Sequence, residues 1–448
     1  MDFVQFKTLV AEKAAEMGIA EYELYYETSE STTVGAFANE INQFSSAVSG
    51  GVCFRCIVNG RMGYASTEAL NETEAAAIVV RAADNAAALE TDDPVFLGEG
   101  GQVYEPLELK HYDLPATDAL IAKVLETQAA TYAVDSRVID GSSTQGVAER
   151  SEIAIFNSKG LDLSYVNQVS ALIAVAVVDG GGEKANAAKI KLGKLSELDS
   201  AAIAGEAVRQ AVAKLGGEVA PTGVCPVVFN SETMADLLQT FSSIFSSEAA
   251  QKGLSRLADS EGQVIASDAV TIVDDPFHPD NPMPISFDAE GSPTHCKKVV
   301  DKGVLNTLLY NLKTAALAGT KTTGNASKGG YNATVAVRPF TMYLAPGTFS
   351  EEDLLKKAGS GVYINFLGGL HAGANAVSGD FSLEAAGYLI EDGKKTTPVK
   401  SFTVAGNFYD LLKNITAVAD NVELPCALGM TAFGAPSVLV ENLSIAGK

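Results

Sequence analysis

"AAGYLIEDGKKTTPVKSFTVAGN", Ala385 to Asn407, is one of a series of short β-forming runs whose turns are marked by Gly, Asn, Asp and Pro. The same pattern recurs through the second half of the chain, in "QVIASDAVTIVDDP", "PTHCKKVVDKGVLNTLLYN", "FTMYLAPG", "GVYINFLGG" and "APSVLVENLSIAG". So many turns so close together argue for a curved antiparallel sheet or a barrel-like core. Two short helices are predicted to interrupt it, at 351–357 and 408–415.

Upstream, "GGEVAPTGVCPVVFN", Gly216 to Asn230, is punctuated by Gly and Pro and then opens a fresh strand at 224–229, so it reads as a boundary. The part before it is mixed. A helix is predicted over 3–17, followed by strand-like "YELYYET", "TTVGAFA" and "INQFSSAV". In "GVCFRCIVNGRMGYAS" the pair Asn59-Gly60 supplies the two positive-φ residues of a tight hairpin. Helices follow at about 72–89 and 118–132, then strands near 137–140, 151–157 and 161–178, then a helix at about 197–215. The order hints at duplicated helix-then-sheet halves. The expected fold class is therefore α+β: an N-terminal α/β domain over 1–220 and a β-rich domain over 221–448 with a curved or barrel-like core.

Composition narrows the function. The 448 residues are 47% hydrophobic and carry 32 Lys and Arg against 55 Asp and Glu, a formal charge of −23. Such a chain repels phosphate backbones, so direct nucleic-acid binding is not expected. The N-terminal "MDFVQFKTLVAEKAAEMG" is amphipathic rather than signal-like, and no apolar run approaches the roughly 20 residues that span a bilayer. Five cysteines, an odd number, do not point to a disulfide framework. A cytoplasmic protein without membrane contact is expected.

"DLLQTFSSIFSS", Asp236 to Ser247, carries the functional question. Met234, Leu237, Leu238, Phe241, Ile244 and Phe245 recur at helical steps and form one apolar stripe. Gln239, Ser242, Ser243 and Ser246 fall on another face, polar but without an ionisable group.

The stretches "KGLSRL" (252–257), "TIVDDP" (271–276), "FDAEGSPT" (287–294), "GVLNTLLYN" (303–311), "NAVSGDFSLEAAGYLIEDG" (375–393), "VAGNFYDLLKNI" (404–415) and "GAPSVLVENLSIAGK" (434–448) resemble, in order and spacing, the TldD/PmbA family. The N-terminal half resembles it more loosely, through "FRCIVNGRMGYAST". TldD-like members are zinc peptidases with an HExxxH helix and a later cysteine ligand. There two His hold zinc and the Glu takes a proton from the bound water. PmbA-like members, also called TldE, lack those ligands and pair with a TldD subunit to digest unfolded peptides in an enclosed chamber.

This sequence contains no His-Glu dipeptide. The resemblance lays "QTFSSI" over the motif, with Gln239 and Ile244 where the His ligands would stand and Thr240 in place of the Glu. None of these coordinates zinc well or serves as a general base near neutral pH. Ser243 lies on the same helix, and Cys426 falls near the family's cysteine ligand, where a small buried hydrophobe is the alternative reading. The resemblance thus implies a non-catalytic PmbA/TldE-like subunit with no cofactor of its own. Zinc would reside in a TldD-like partner, with which it would form a dimer; pairing with itself is the alternative.

Other constellations are weaker. Cys53 and Cys56 lie three apart in a strand and so point to opposite faces, unlike a redox or zinc pair. His278, His295 and Cys296, among Asp274, Asp275, Asp280 and Asp288, form an alternative ligand set for an autonomous metal-dependent hydrolase. The competing reading is turn chemistry, with Asp side chains bonding nearby backbone N–H groups. His371, nine residues before Asp380, is a further cleft candidate. Alternating strands such as "SSTQGVAERSEIAIFNSKG" offer sheet edges to which an extended peptide could add. A homodimeric peptide-binding protein is the third reading.

Overall fold

The computed structural model describes residues 1–91, 93–107, 114–281, 283–424 and 431–447. Its first half is built twice from the same parts. Helix α1 (Phe3–Glu16), closed at its start by an Asp2–Gln5 capping box, leads into strands β1 (Glu21–Phe37), β2 (Glu40–Val58) and β3 (Arg61–Thr67), and then helix α2 (Glu72–Ala88). Helix α3 (Thr117–Val134) repeats the order with β4 (Ser143–Asn157), β5 (Asp162–Asp179), β6 (Lys184–Gly193) and helix α4 (Ser200–Ala213). The two meanders join through β1 and β4 into one antiparallel sheet, ordered β3-β2-β1-β4-β5-β6. The duplication hinted at in the sequence is a helix, three strands and a helix, twice.

Period two divides this sheet into faces. Leu24, Val34, Phe54, Cys56, Ala148 and Leu172 point to the side covered by the four helices. Tyr25, Cys53, Ile153, Ile155 and Tyr165 point the other way, onto Ile285, Phe287 and Phe340 of the second half. Cys53 and Cys56 are accordingly buried on opposite faces. Asn59 (φ 51°) and Gly60 (φ 74°) form the expected hairpin turn between β2 and β3.

Several expectations need correction here. "YELYYET" and "TTVGAFA" form one continuous strand of 17 residues, and β2 runs unbroken for 19 through Gly50. Gly50 is there for a close approach: a Cβ would meet the Glu27 carbonyl oxygen at 2.2 Å. Residues 137–140 make only isolated bridges, and β6 is a strand the sequence did not announce. "SSTQGVAERSEIAIFNSKG" is no edge, because β4 pairs along its length with β1 and β5. Among the described residues, the open edges are β3, the 40–51 stretch of β2, and β6.

In the second half, strands Gly223–Phe229, Gly361–Gly368, Asp380–Glu391, Lys394–Asn407 and Val438–Ala446 close into a ring, the last pairing back onto the first. The barrel-like core is therefore present, although its Gly223–Phe229 and Gly361–Gly368 pair is parallel. A second five-stranded sheet contains Ile272–Asp274, Lys297–Asp301 and Thr341–Leu344, with Ala432–Gly434 added in parallel. The helix Ser231–Phe241 packs between the ring and this sheet. Among the described residues, no helix is long and apolar enough to cross a membrane.

A buried charge group joins the halves. Arg55 Nε donates to Glu23 Oε1 at 2.8 Å, while Glu290 Oε1 lies 3.9 Å from Arg55 Nη1. Glu290 Oε2 accepts the Leu312 N–H at the start of a short helix. Burial raises Glu290 to about 7 against the pull of Arg55. The fold thus favours its protonated form, a contribution present below the ordinary value of 4.5 and lost as pH rises through about 7. Glu290→Gln keeps an acceptor but cannot ionise. Its unfolding temperature should exceed that of the parent chain at about pH 8, with the gap shrinking toward about pH 5; a gap independent of pH would contradict this reading.

Candidate functional site

The helix Ser231–Phe241 begins at an Asn230 cap, whose side chain accepts the Thr233 N–H. Met234, Leu237, Leu238, Phe241, Ile244 and Phe245 are all at most 1% exposed, so the apolar stripe of the sequence is the buried face. Phe241 stacks on Phe408 with ring centroids 4.5 Å apart. The helix does not continue to Ser247 as its spacing suggested. It tightens to a 3₁₀ turn over Ser242–Phe245, and Ser246 caps a new helix, Ser247–Gln251. The cause is local: Thr240 Oγ1 bonds the Asp236 carbonyl at 2.7 Å and Ser242 Oγ the Gln239 carbonyl at 2.9 Å, competing with the helical ladder.

Beside this segment lies an open cavity of about 610 Å3, lined by Gln239, Thr240, Ser242, Ser243, Ser246, Glu248, Lys252, Arg338 and Phe433 among others. Gln239, Thr240 and Ser243 thus share one cavity. Ile244 does not belong to it; its side chain is fully buried in the core. Of the three overlaid positions, Gln239 and Thr240 thus reach the cavity and Ile244 sits in the core. A narrower cleft of about 190 Å3 lies next to the cavity and shares Gln239 and Phe433 with it. That cleft runs along Ala188, Lys189, Ile190 and Lys191 on the open edge of β6 and past Asp236. Burial, and then Glu232, push the Asp236 carboxyl up to about 6.

The donor set does not suit zinc. The described lining offers hydroxyls, an amide and one carboxylate, and that carboxylate, Glu248, is held by Lys252 at 2.6 Å. Among the described residues no three His, Cys, Asp or Glu side chains gather to hold a metal. His278, His295 and Cys296 are therefore not brought together as a ligand set. His278 packs edge-on to Tyr343 at 5.0 Å and accepts the Asp280 N–H. Of the neighbouring aspartates, Asp288 follows turn chemistry, whereas Asp274 is buried at the end of a strand and bonded by residues distant in sequence. Asp274 accepts from the Phe340 and Thr341 N–H groups, Asn325 and Lys297, and Asp288 from the N–H groups of Glu290, Ser292 and Ala326. His371, on the exposed four-residue helix Leu370–Gly373, and Asp380, bonded by Asn407, line neither space. Cys426 lies outside the described residues.

Sequence reasoning missed Arg338, Lys252, Phe433 and the β6 lysines. Lys252 carried a signal, standing four residues after Glu248 on the continuing polar face. Arg338 and β6 reach the site only through tertiary folding.

Descriptions of the PmbA/TldA metallopeptidase domain 1, central domain and C-terminal domain match residues 22–89, 110–215 and 222–447. The chain belongs to the PmbA/TldD family. A Thermotoga maritima protein of known structure, described as a modulator of a DNA gyrase, is similar with a TM-score of 0.90 and 30% identity, covering 99% of this chain and 100% of that one. The Metalloprotease PmbA homolog of Haemophilus influenzae is 26% identical over 93% of this chain and 90% of its own length. The Metalloprotease TldD homolog of Buchnera aphidicola is 30% identical over 54% of this chain, and the chain spans only about half, 52%, of that relative.

The buried position of residue 244 generates a prediction. The triple change Gln239→His, Thr240→Glu, Ile244→His restores the PmbA/TldD family's HExxxH letters but points the second imidazole into the core. It should bind no stoichiometric zinc by elemental analysis and should lose roughly 2–4 kcal/mol of stability in denaturant unfolding. Tight zinc at unchanged stability would refute the geometry.

Proposed function

We propose that this chain is the non-catalytic, PmbA/TldE-like subunit of a cytoplasmic TldD/TldE-type zinc metallopeptidase. It shapes the chamber and holds unfolded or extended peptide, while a TldD-like partner supplies zinc. One observation carries the reading: the helix that the family resemblance lays over the metal motif turns Gln239, Thr240 and Ser243 into a cavity that, among the described residues, holds no imidazole and only the Lys252-paired Glu248 as a carboxylate. The match to the PmbA homolog of Haemophilus influenzae along 93% of the chain, against 54% for the TldD homolog of Buchnera aphidicola, supports the same branch.

The peptide-holding part rests on β6. It pairs with β5 on one side, and among the described residues no strand pairs with the other, which borders the cleft. An extended chain added there would use main-chain hydrogen bonds and so tolerate many sequences. A net charge of −23 argues that any effect on DNA gyrase is indirect. The chain is expected to show no peptidase activity on unfolded peptides alone and to gain it on mixing with a TldD-like subunit and zinc. Strong zinc-dependent cleavage by the isolated chain would overturn the proposal.

A further inference from the structure

We propose that the cavity beside the Ser231–Phe241 helix takes the carboxylate of an extended peptide, with the Arg338 guanidinium as its anchor. This rests on the peptide-holding reading and adds the chemical group that is recognised.

The charged side chains lining the cavity are Glu248, Lys252 and Arg338. Glu248 and Lys252 neutralise one another at 2.6 Å. Arg338 is exposed and bonds through its backbone to Asn325, yet among the described residues its guanidinium has no ion pair or hydrogen bond. One carboxylate against two cations leaves the cavity with a single positive charge in a chain of −23. Anions are therefore drawn to this spot while most of the surface repels them.

A planar guanidinium offers two parallel N–H donors that match the two oxygens of a carboxylate. Around it the Gln239 amide and the Ser243 hydroxyl also have no partner within the described residues, so they remain available to a peptide backbone. The narrower cleft along β6 adjoins the cavity, the two sharing Gln239 and Phe433 in their walls. A peptide paired with that edge can thus present a carboxylate to Arg338. The group comes either from the peptide's C-terminus or from an Asp or Glu side chain.

The test uses the full-length chain and one fluorescent, extended, otherwise uncharged peptide in three forms: free C-terminal acid, C-terminal amide, and amide with one internal Glu. Anisotropy titration should show the acid, the Glu-bearing amide, or both, binding about tenfold more tightly than the plain amide. Whichever form gains identifies the source of the carboxylate. Arg338→Gln should erase the gain while leaving the unfolding temperature unchanged. Equal affinity for all three forms, or a gain that survives Arg338→Gln, overturns the inference and leaves the peptide-holding reading standing. Binding of no form overturns both.

Discussion

The packing of Leu237, Leu238, Phe241, Ile244 and Phe245 between the barrel ring and the second sheet constrains everything else in the C-terminal half. These side chains are fully buried or nearly so, and Phe241 stacks on Phe408 from the helix that follows the ring strand Lys394–Asn407. Rotating or sliding the segment would expose several large apolar groups at about 1.5–3 kcal/mol each. Its orientation is therefore fixed, and with it the strip of residues that reaches the cavity. Gln239, Thr240 and Ser243 face that space because their neighbours cannot. The chemistry of the site follows from which letters occupy the solvent side of a helix whose core side is not negotiable.

Much of this was legible in the sequence, for identifiable reasons. The apolar stripe, the Asn59-Gly60 hairpin, the opposed cysteines and the turn-rich second half each rest on short-range periodicity or on turn chemistry, which survive without tertiary context. The failures share the opposite character. β6, "KANAAKIKLG", has small residues and lysines where a strand usually shows β-branched or aromatic ones, and it forms because β5 and α4 supply the missing apolar surface. The break after Phe241 depends on hydroxyls bonding their own backbone, a competition that spacing alone does not reveal. The helix Leu312–Ala318 carries a local signal, the Asn311–Thr314 capping box. Of the candidate site residues, Gln239, Thr240 and Ser243 converge, Ile244, His371 and Asp380 do not, and Arg338 joins from a distant segment.

The two halves meet where the N-terminal sheet turns Tyr25, Cys53 and Tyr165 onto Phe287, with the Glu23–Arg55–Glu290 group beside them. This contact sets β6 alongside the Ser231–Phe241 helix, so the cleft is made jointly by a sheet edge from one half and a helix from the other. Buried charges are expensive unless well paired; Arg55 is paired with Glu23 of its own half and lies beside Glu290 of the other. A change at this interface would therefore be felt at the cleft without touching any residue that lines it.

The proposed role requires that the polar face of this helix hold no catalytic metal. Elemental analysis of the purified chain, loaded with zinc and dialysed against buffer, tests it most directly. Far less than one zinc per chain is expected. One tightly held zinc per chain, lost when Gln239 and Ser243 are changed to alanine, would contradict it.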